Sequence, residues 1–375
     1  MLLVPAATAL AAGQLTREEL SFPREYRGKQ ATITAELQLP RGTGRVPAMI
    51  IHHGSGGVAA EREGRYAREM VNVGVAALVI DSFKGRGIVS TVKDQSAVSA
   101  QEMADDAFAA LRLLASHPRI ASDRIGILGF SKGATAALLT ALERRANRAL
   151  PDGLRFAMHV SLYPSCDSHY FRPKSTGSPI YLLLGGADTY AGVGPCQEYA
   201  TALKAEGAAI DVTVYPGAPH GFDMKSSYRV ANGENWSRCV FVEQPDGSWK
   251  ERTSGVVTHD SSGQRIEAGY KRALAVCRSY GVSGGPNESA RTKTVDRAQE
   301  LPTQTSARGQ IARPPGRSTK TDGRCVVWLV ARLISQRITR GSAARRNGRP
   351  ACALSRRSVC DAAGNRRPQI LLTAR

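Results

Sequence analysis

The stretch "RIGILGFSKGATAALL" (residues 124–139) constrains the fold more than any other. Branched apolar residues at 125–128 stop at Gly129. A lone serine follows, with Gly133 two positions beyond it, and then a run of helical composition begins. A strand that turns directly into a helix crowds the residue at the junction. The residues two positions to either side must then lack a Cβ. Such a turn lifts a serine Oγ clear of the backbone at the carboxyl edge of a sheet. It also directs the first N–H groups of the helix toward whatever that oxygen attacks. Gly129-Phe130-Ser131-Lys132-Gly133 therefore reads as a nucleophile elbow.

The rest of the chain supplies a sheet for such an elbow. "VPAMIIHHG" and "GVAALVIDSF" are nearly continuous apolar runs, the pattern of parallel strands covered on both faces. "EREGRYAREMVNV" between them reads as a helix, and "SAQEMADDAFAALRLLASHP" as an amphipathic one. "ATITAELQLP" alternates, as a half-buried antiparallel strand does. "RFAMHVSLYP", "SPIYLLLGG" and "IDVTVYPG" predict further strands, with the helix "CQEYATALKAEG" between the last two. "IEAGYKRALAVCRSYG" predicts a closing helix. Alternating strands and helices imply a doubly wound, mostly parallel sheet with helices on both faces. Asp246-Gly247 between two strand-like runs predicts a hairpin, in an insertion spanning about residues 237–263.

A serine hydroxyl attacks only when a base takes its proton, and that base needs a third group to orient it. On such a sheet the acid precedes the histidine, each in a loop after a later strand. "YLLLGGADTY" places Asp188 just past one strand end, and "VTVYPGAPHGFD" places His220 past the next. Asp167, after the preceding strand, is the rival acid. Two N–H donors must hold the oxyanion. The backbone of Lys132 is one. The glycine-rich "HHGSGG" after an early strand offers Ser55 as the other, with Gly56 as the alternative. Its glycine spacing fits neither a P-loop nor a dinucleotide fingerprint. No Cys-x-x-Cys pair or Cys/His cluster suggests a metal, so neither cofactor nor metal is expected.

"HHGSGG", "LVIDSFKGRG", "GFSKG", "LLLGGADTY" and "YPGAPHGFD", in that order, resemble the dienelactone hydrolase family of α/β-hydrolases, over about residues 30–280. The resemblance implies the α/β-hydrolase fold, ester or lactone hydrolysis, and Ser131, Asp188 and His220 as the triad. The namesake enzymes carry a cysteine nucleophile and an arginine shortly after the histidine. Here the nucleophile is serine, and the segment reads His220-Gly221-Phe222-Asp223-Met224-Lys225. Small neutral esters are thus expected to be turned over at least as well as carboxylate-bearing lactones. Arg86, in "DSFKGRG", is a candidate substrate clamp, or else pairs with a nearby acid such as Asp81.

Composition matters at the two ends of the chain. "MLLVPAATALAAG" resembles the apolar half of a secretory signal, truncated at its basic start, over residues 1–13. Four of the seven cysteines, Cys166, Cys196, Cys239 and Cys277, precede the tail. In an exported domain they allow two disulfides, expected on topology as Cys166–Cys196 and Cys239–Cys277. A periplasmic or secreted location is expected, with the cytoplasm as the alternative. The formal net charge is +19, yet residues 281–375 hold 19 Lys and Arg against 5 Asp and Glu. The expected organisation is a hydrolase domain over residues 14–284 and a basic, low-complexity, disordered tail over residues 285–375. That tail supports one rival function, binding of nucleic acid or another polyanion. It lacks a recognition motif, so contacts there would be non-specific. No segment is apolar for long enough to span a membrane, and the expected partner is a small ester or lactone.

Overall fold

A computed structural model describes residues 16–308 of the 375. The expected signal segment and the tail beyond residue 308 lie outside the described residues. The chain runs β1 (Thr16–Tyr26), β2 (Lys29–Leu39), β3 (Val46–His52), α1 (Glu63–Asn72), β4 (Ala76–Asp81), α2 (Ala100–Ala115), β5 (Ile120–Phe130) and α3 (Lys132–Thr140). It continues through α4 (Glu143–Ala149), β6 (His159–Leu162), β7 (Ser168–His169), β8 (Ile180–Gly185), α5 (Gly194–Ala205) and β9 (Ile210–Tyr215). The last part holds β10 (Tyr228–Asn235), β11 (Phe241–Glu243), β12 (Trp249–Glu251), β13 (Val257–His259), α6 (Glu267–Cys277), β14 (Ser279–Gly284) and α7 (Glu288–Arg308).

Eight strands form one sheet in the order β1-β2-β4-β3-β5-β6-β8-β9. From β4 to β9 every pair is parallel, and β2 runs antiparallel to both β1 and β4. Alternate residues of the central strands feed opposite faces, as strand geometry demands. Ile50, Leu78 and Ile127 pack with Phe108 and Leu111 of α2 on one face. Met49, Ile51, Ala77 and Leu128 pack with Tyr66 and Met70 of α1 on the other. This is the α/β-hydrolase arrangement. Edge strand β1 carries Pro23, which an edge tolerates because proline's missing N–H can face the side with no neighbouring strand.

The last third departs from the sequence expectation. Helix α6 does not close the main sheet. It packs beside β13, and Ala273 and Leu274 join a separate cluster with Cys239, Phe241 and Cys277. The helix that covers the main sheet is α7, which packs against α1, β3 and β5 and buries Ala290, Thr294, Ala298 and Leu301. β14 lies within the domain expected to end at residue 284, and α7, beyond that residue, packs on the main sheet. Residues 244–248 turn the β11–β12 hairpin, with Gly247 at φ +86°. That hairpin joins β13 and β7 in a four-stranded sheet, and β10 pairs with β14 in a two-stranded one. Two disulfides fasten this region. Cys166–Cys196 ties the loop after β6 to α5, and Cys239–Cys277 ties the loop before β11 to the end of α6. Among the described residues no helix is long and apolar enough to cross a membrane.

Candidate active site

Ser131 stands between β5 and α3 at φ +52°, ψ −116°, a conformation that side chains rarely adopt. The flanking glycines permit it. A Cβ on Gly129 would lie 2.1 Å from Gly133 O, and one on Gly133 would lie 2.4 Å from both His52 O and His53 O. Neither clash can relax, because each involves backbone. Gly54 comes close as well: a Cβ there would stand 3.2 Å from Ser131 Cβ, so the loop after β3 passes directly against the serine.

The loops after β8 and β9 deliver the next two side chains. Ser131 Oγ–H donates to His220 Nε2 at 2.9 Å, and His220 Nδ1–H donates to Asp188 Oδ2 at 2.7 Å. Asp188 Oδ1 accepts from the N–H groups of Tyr190 and Ala191 at 2.8 and 2.9 Å. Burial pushes the Asp188 carboxyl up, but His220 and these N–H donors outweigh it and hold the group below its usual value. His220 Nδ1 thus bonds Asp188, and Asp167 lies elsewhere in the same cleft. The imidazole is held between Tyr163 and Tyr190, with ring centroids 4.8 and 4.7 Å away.

Ser55 and Lys132 line the cleft with Ser131 and His220. Among the described residues neither backbone N–H has a protein acceptor. The Lys132 side chain turns away and is buried. Its Nζ donates to Thr91 Oγ1, Gln95 O and Val98 O at 2.7–2.8 Å. Burial pushes this ammonium down to about 7. The lysine thus pins the segment that carries Gln95. Ser55 Oγ–H donates to Gln95 Oε1, and Gln95 Nε2 donates to the Tyr190 hydroxyl.

Arg86 does not serve the cleft. It sits in a short 3-10 turn after β4, and its side chain is 1% exposed. Its two terminal nitrogens donate to both carboxylate oxygens of Asp106 at 2.6 and 2.8 Å, and Nη1 also donates to Ser82 O. The expectation of a substrate clamp is corrected: the guanidinium is consumed by a buried acid on α2, Asp106 and not Asp81. Sequence reasoning also missed Asp223, which accepts from Tyr163 O–H at 2.6 Å and pairs with Arg65 behind the histidine loop. Its place three residues after His220, between Phe222 and Met224, was the available signal. Tyr163, at φ +43°, left no signal at all.

A serine raised on an elbow and bonded to a histidine and an acid, on a sheet of this topology, defines an α/β-hydrolase. The chain belongs to the dienelactone hydrolase family, whose model matches residues 33–241, and it is a carboxylic ester hydrolase of that family. It is 26% identical over 219 residues to a Bradyrhizobium protein named "Probable 2-oxo-3-(5-oxofuran-2-ylidene)propanoate lactonase", covering 55% of this chain and 86% of the relative. It is 52% identical over 44 residues to the "Uncharacterized peptidase YtmA" of Bacillus subtilis (strain 168), which covers 12% of this chain and 17% of that protein. Among solved structures, a dienelactone hydrolase-like promiscuous phosphotriesterase from metagenomic libraries superposes with TM-score 0.48 at 14% identity, over 78% of this chain and 99% of the other.

Proposed function

We propose that the protein hydrolyses small carboxylic esters or lactones through an acyl-enzyme on Ser131. The observation that carries this reading is the unbroken hydrogen-bonded line from Ser131 Oγ through His220 to Asp188. His220 Nε2 takes the Ser131 proton as Oγ attacks the carbonyl carbon. Asp188 holds the ring in the required tautomer and faces the imidazolium that forms. The N–H groups of Lys132 and Ser55 receive the negative oxygen of the tetrahedral intermediate. His220 then returns the proton to the leaving alkoxide. A water activated by the same nitrogen releases the acid. In a lactone the leaving alkoxide stays tethered to the acyl group, so the same steps open the ring. The lactonase among its relatives supports including that class. The two disulfides support residence in an oxidising compartment, outside the cytoplasm.

A fluorophosphonate probe tests the assignment. Labelling should map to Ser131 by peptide mass spectrometry. Ser131→Ala should lose labelling and about 10⁴-fold or more of ester turnover with an unchanged circular dichroism spectrum. Retained turnover in that variant would refute the nucleophile.

A further inference from the structure

The cleft holding Ser131 has a volume of about 750 Å³, and Trp236, Phe241 and Tyr270 of the disulfide-fastened region wall its far side. At its catalytic end the two donors for the oxyanion, Ser55 N–H and Lys132 N–H, lie on different loops. One stretch of chain between β4 and α2, residues 90–98, joins them. Thr91 N–H and Ser90 Oγ–H both donate to Ser55 O, at 2.8 and 3.1 Å. The Lys132 side chain reaches the same stretch and gives its protons to Thr91 Oγ1, Gln95 O and Val98 O. An N–H group stabilises a developing charge only if it already points there when the charge appears. Ties that hold the chain around each donor supply that order in advance.

Gln95 is the most heavily tied residue of that stretch. Its N–H donates to Glu234 Oε2 on β10 at 2.8 Å, and Arg278 pairs with Glu234 in turn. Its C=O accepts from Lys132 Nζ at 2.8 Å. The side chain therefore starts from a fixed root, and it lines the cleft. Its amide makes a different bond at each end. Oε1 accepts from Ser55 Oγ–H at 3.0 Å, and Nε2 donates to the Tyr190 hydroxyl at 2.9 Å. With both Oγ and O held, Ser55 has little freedom to turn its N–H away from the cleft. Tyr190 belongs to the acid loop. Its N–H donates to Asp188 Oδ1, and its ring centroid lies 4.7 Å from that of His220. One side chain thus links the oxyanion loop to the acid loop. Holding a glutamine in a single rotamer costs side-chain entropy. A methionine of similar length would fill the same space, but it would make neither bond.

We propose that Gln95 is a positioning residue: its amide holds the Ser55 N–H on the oxyanion and the Tyr190 ring against His220, and so governs turnover and not substrate affinity. The proposal rests on the serine hydrolase reading above, with Ser55 as an oxyanion donor, and adds what aims that donor. Gln95→Met in the full chain keeps the side-chain length and removes both bonds. With 4-nitrophenyl acetate its kcat should fall about tenfold, less than the roughly 10²–10³ lost when an oxyanion donor is removed outright. KM should stay within about twofold of the wild-type value. Phenylboronic acid forms a tetrahedral adduct on a nucleophilic serine, so its inhibition constant should rise by a similar factor. Ser55→Ala keeps the backbone N–H, Tyr190→Phe keeps the ring, and each removes one link. Each should lower kcat in the wild type, and neither should lower it further in Gln95→Met. A kcat in Gln95→Met within about twofold of wild type overturns the proposal. So does a raised KM with kcat intact, or losses that multiply in the double variants. If Gln95→Met does not fold, Ser55→Ala decides: lowered kcat at unchanged KM supports the proposal, and full turnover overturns it. A wild-type chain whose Ser131 is not labelled by a fluorophosphonate fails the hydrolase reading itself, a different result from any of these.

Discussion

Two side chains with opposite burial chemistry show how residues divide the work. Arg86 holds both carboxylate oxygens of the buried Asp106, which Arg24 approaches as well, and removing Arg86 strips that buried charge of its bidentate partner. Arg86→Ala should therefore lower unfolding free energy by about 3 kcal/mol or more in a urea titration. The KM for short 4-nitrophenyl esters should change little, because the guanidinium never reaches the cleft. A strong preference for anionic lactones that disappears in this variant would contradict the geometry. Lys132 is the other case. Its three acceptors suit the ammonium, yet a neutral amine could still donate to the two carbonyls and accept from Thr91 O–H. The folded value near 7 lies below the usual 10.5. Between those limits the unfolded chain binds the proton that the native one lacks. The penalty for burying the charge is thus present in full below pH 7 and is relieved as pH rises. Melting temperatures of the wild type relative to Lys132→Met should climb from pH 7 to 9. A flat difference would mean that the amine keeps its proton throughout.

Among the elements, legibility followed the strength of local pattern. The parallel strands, α1, α2 and the β5–α3 elbow announced themselves, because each is a long apolar run or a run with helical period. Ser131, Asp188 and His220 were readable because each sits just past such a strand. Strand β1 was hidden by Pro23 and by the charged residues that a solvated edge strand can carry. The sequence around α6 had the amphipathic signature of a closing helix, but its apolar face meets the insertion, a choice that only tertiary packing decides. Asp106 was unreadable as the partner of Arg86 because it comes from another element, α2. At this scale the disulfides are the clearest prediction. Non-reducing peptide maps of protein recovered from an oxidising compartment should show Cys166–Cys196 and Cys239–Cys277, and four free thiols would refute both. Replacing Cys239 and Cys277 together with serine should lower stability by about 2–4 kcal/mol and raise KM, since the far wall of the cleft hangs on that link.

For the whole molecule, the central consequence concerns α7. Its buried Ala290, Ala298 and Leu301 share one core cluster with Tyr66, Met70 and the inner residues of β3 and β4. A chain cut after residue 284 should therefore lose more than a few degrees of melting temperature, because part of that face of the sheet, beside α1, is left exposed. An unchanged melting curve would show that α7 adds nothing to the core. The same contacts set an order of events during synthesis. The partners of α7 leave the ribosome early, while the helix itself emerges only after the whole catalytic segment has been made. Until then a nascent chain carries its serine, histidine and aspartate on a sheet whose α1 face is only partly covered. Completion of the fold is thereby tied to the end of translation of the domain, and a ribosome stalled before residue 288 would hold a chain that proteases and chaperones still recognise as unfinished.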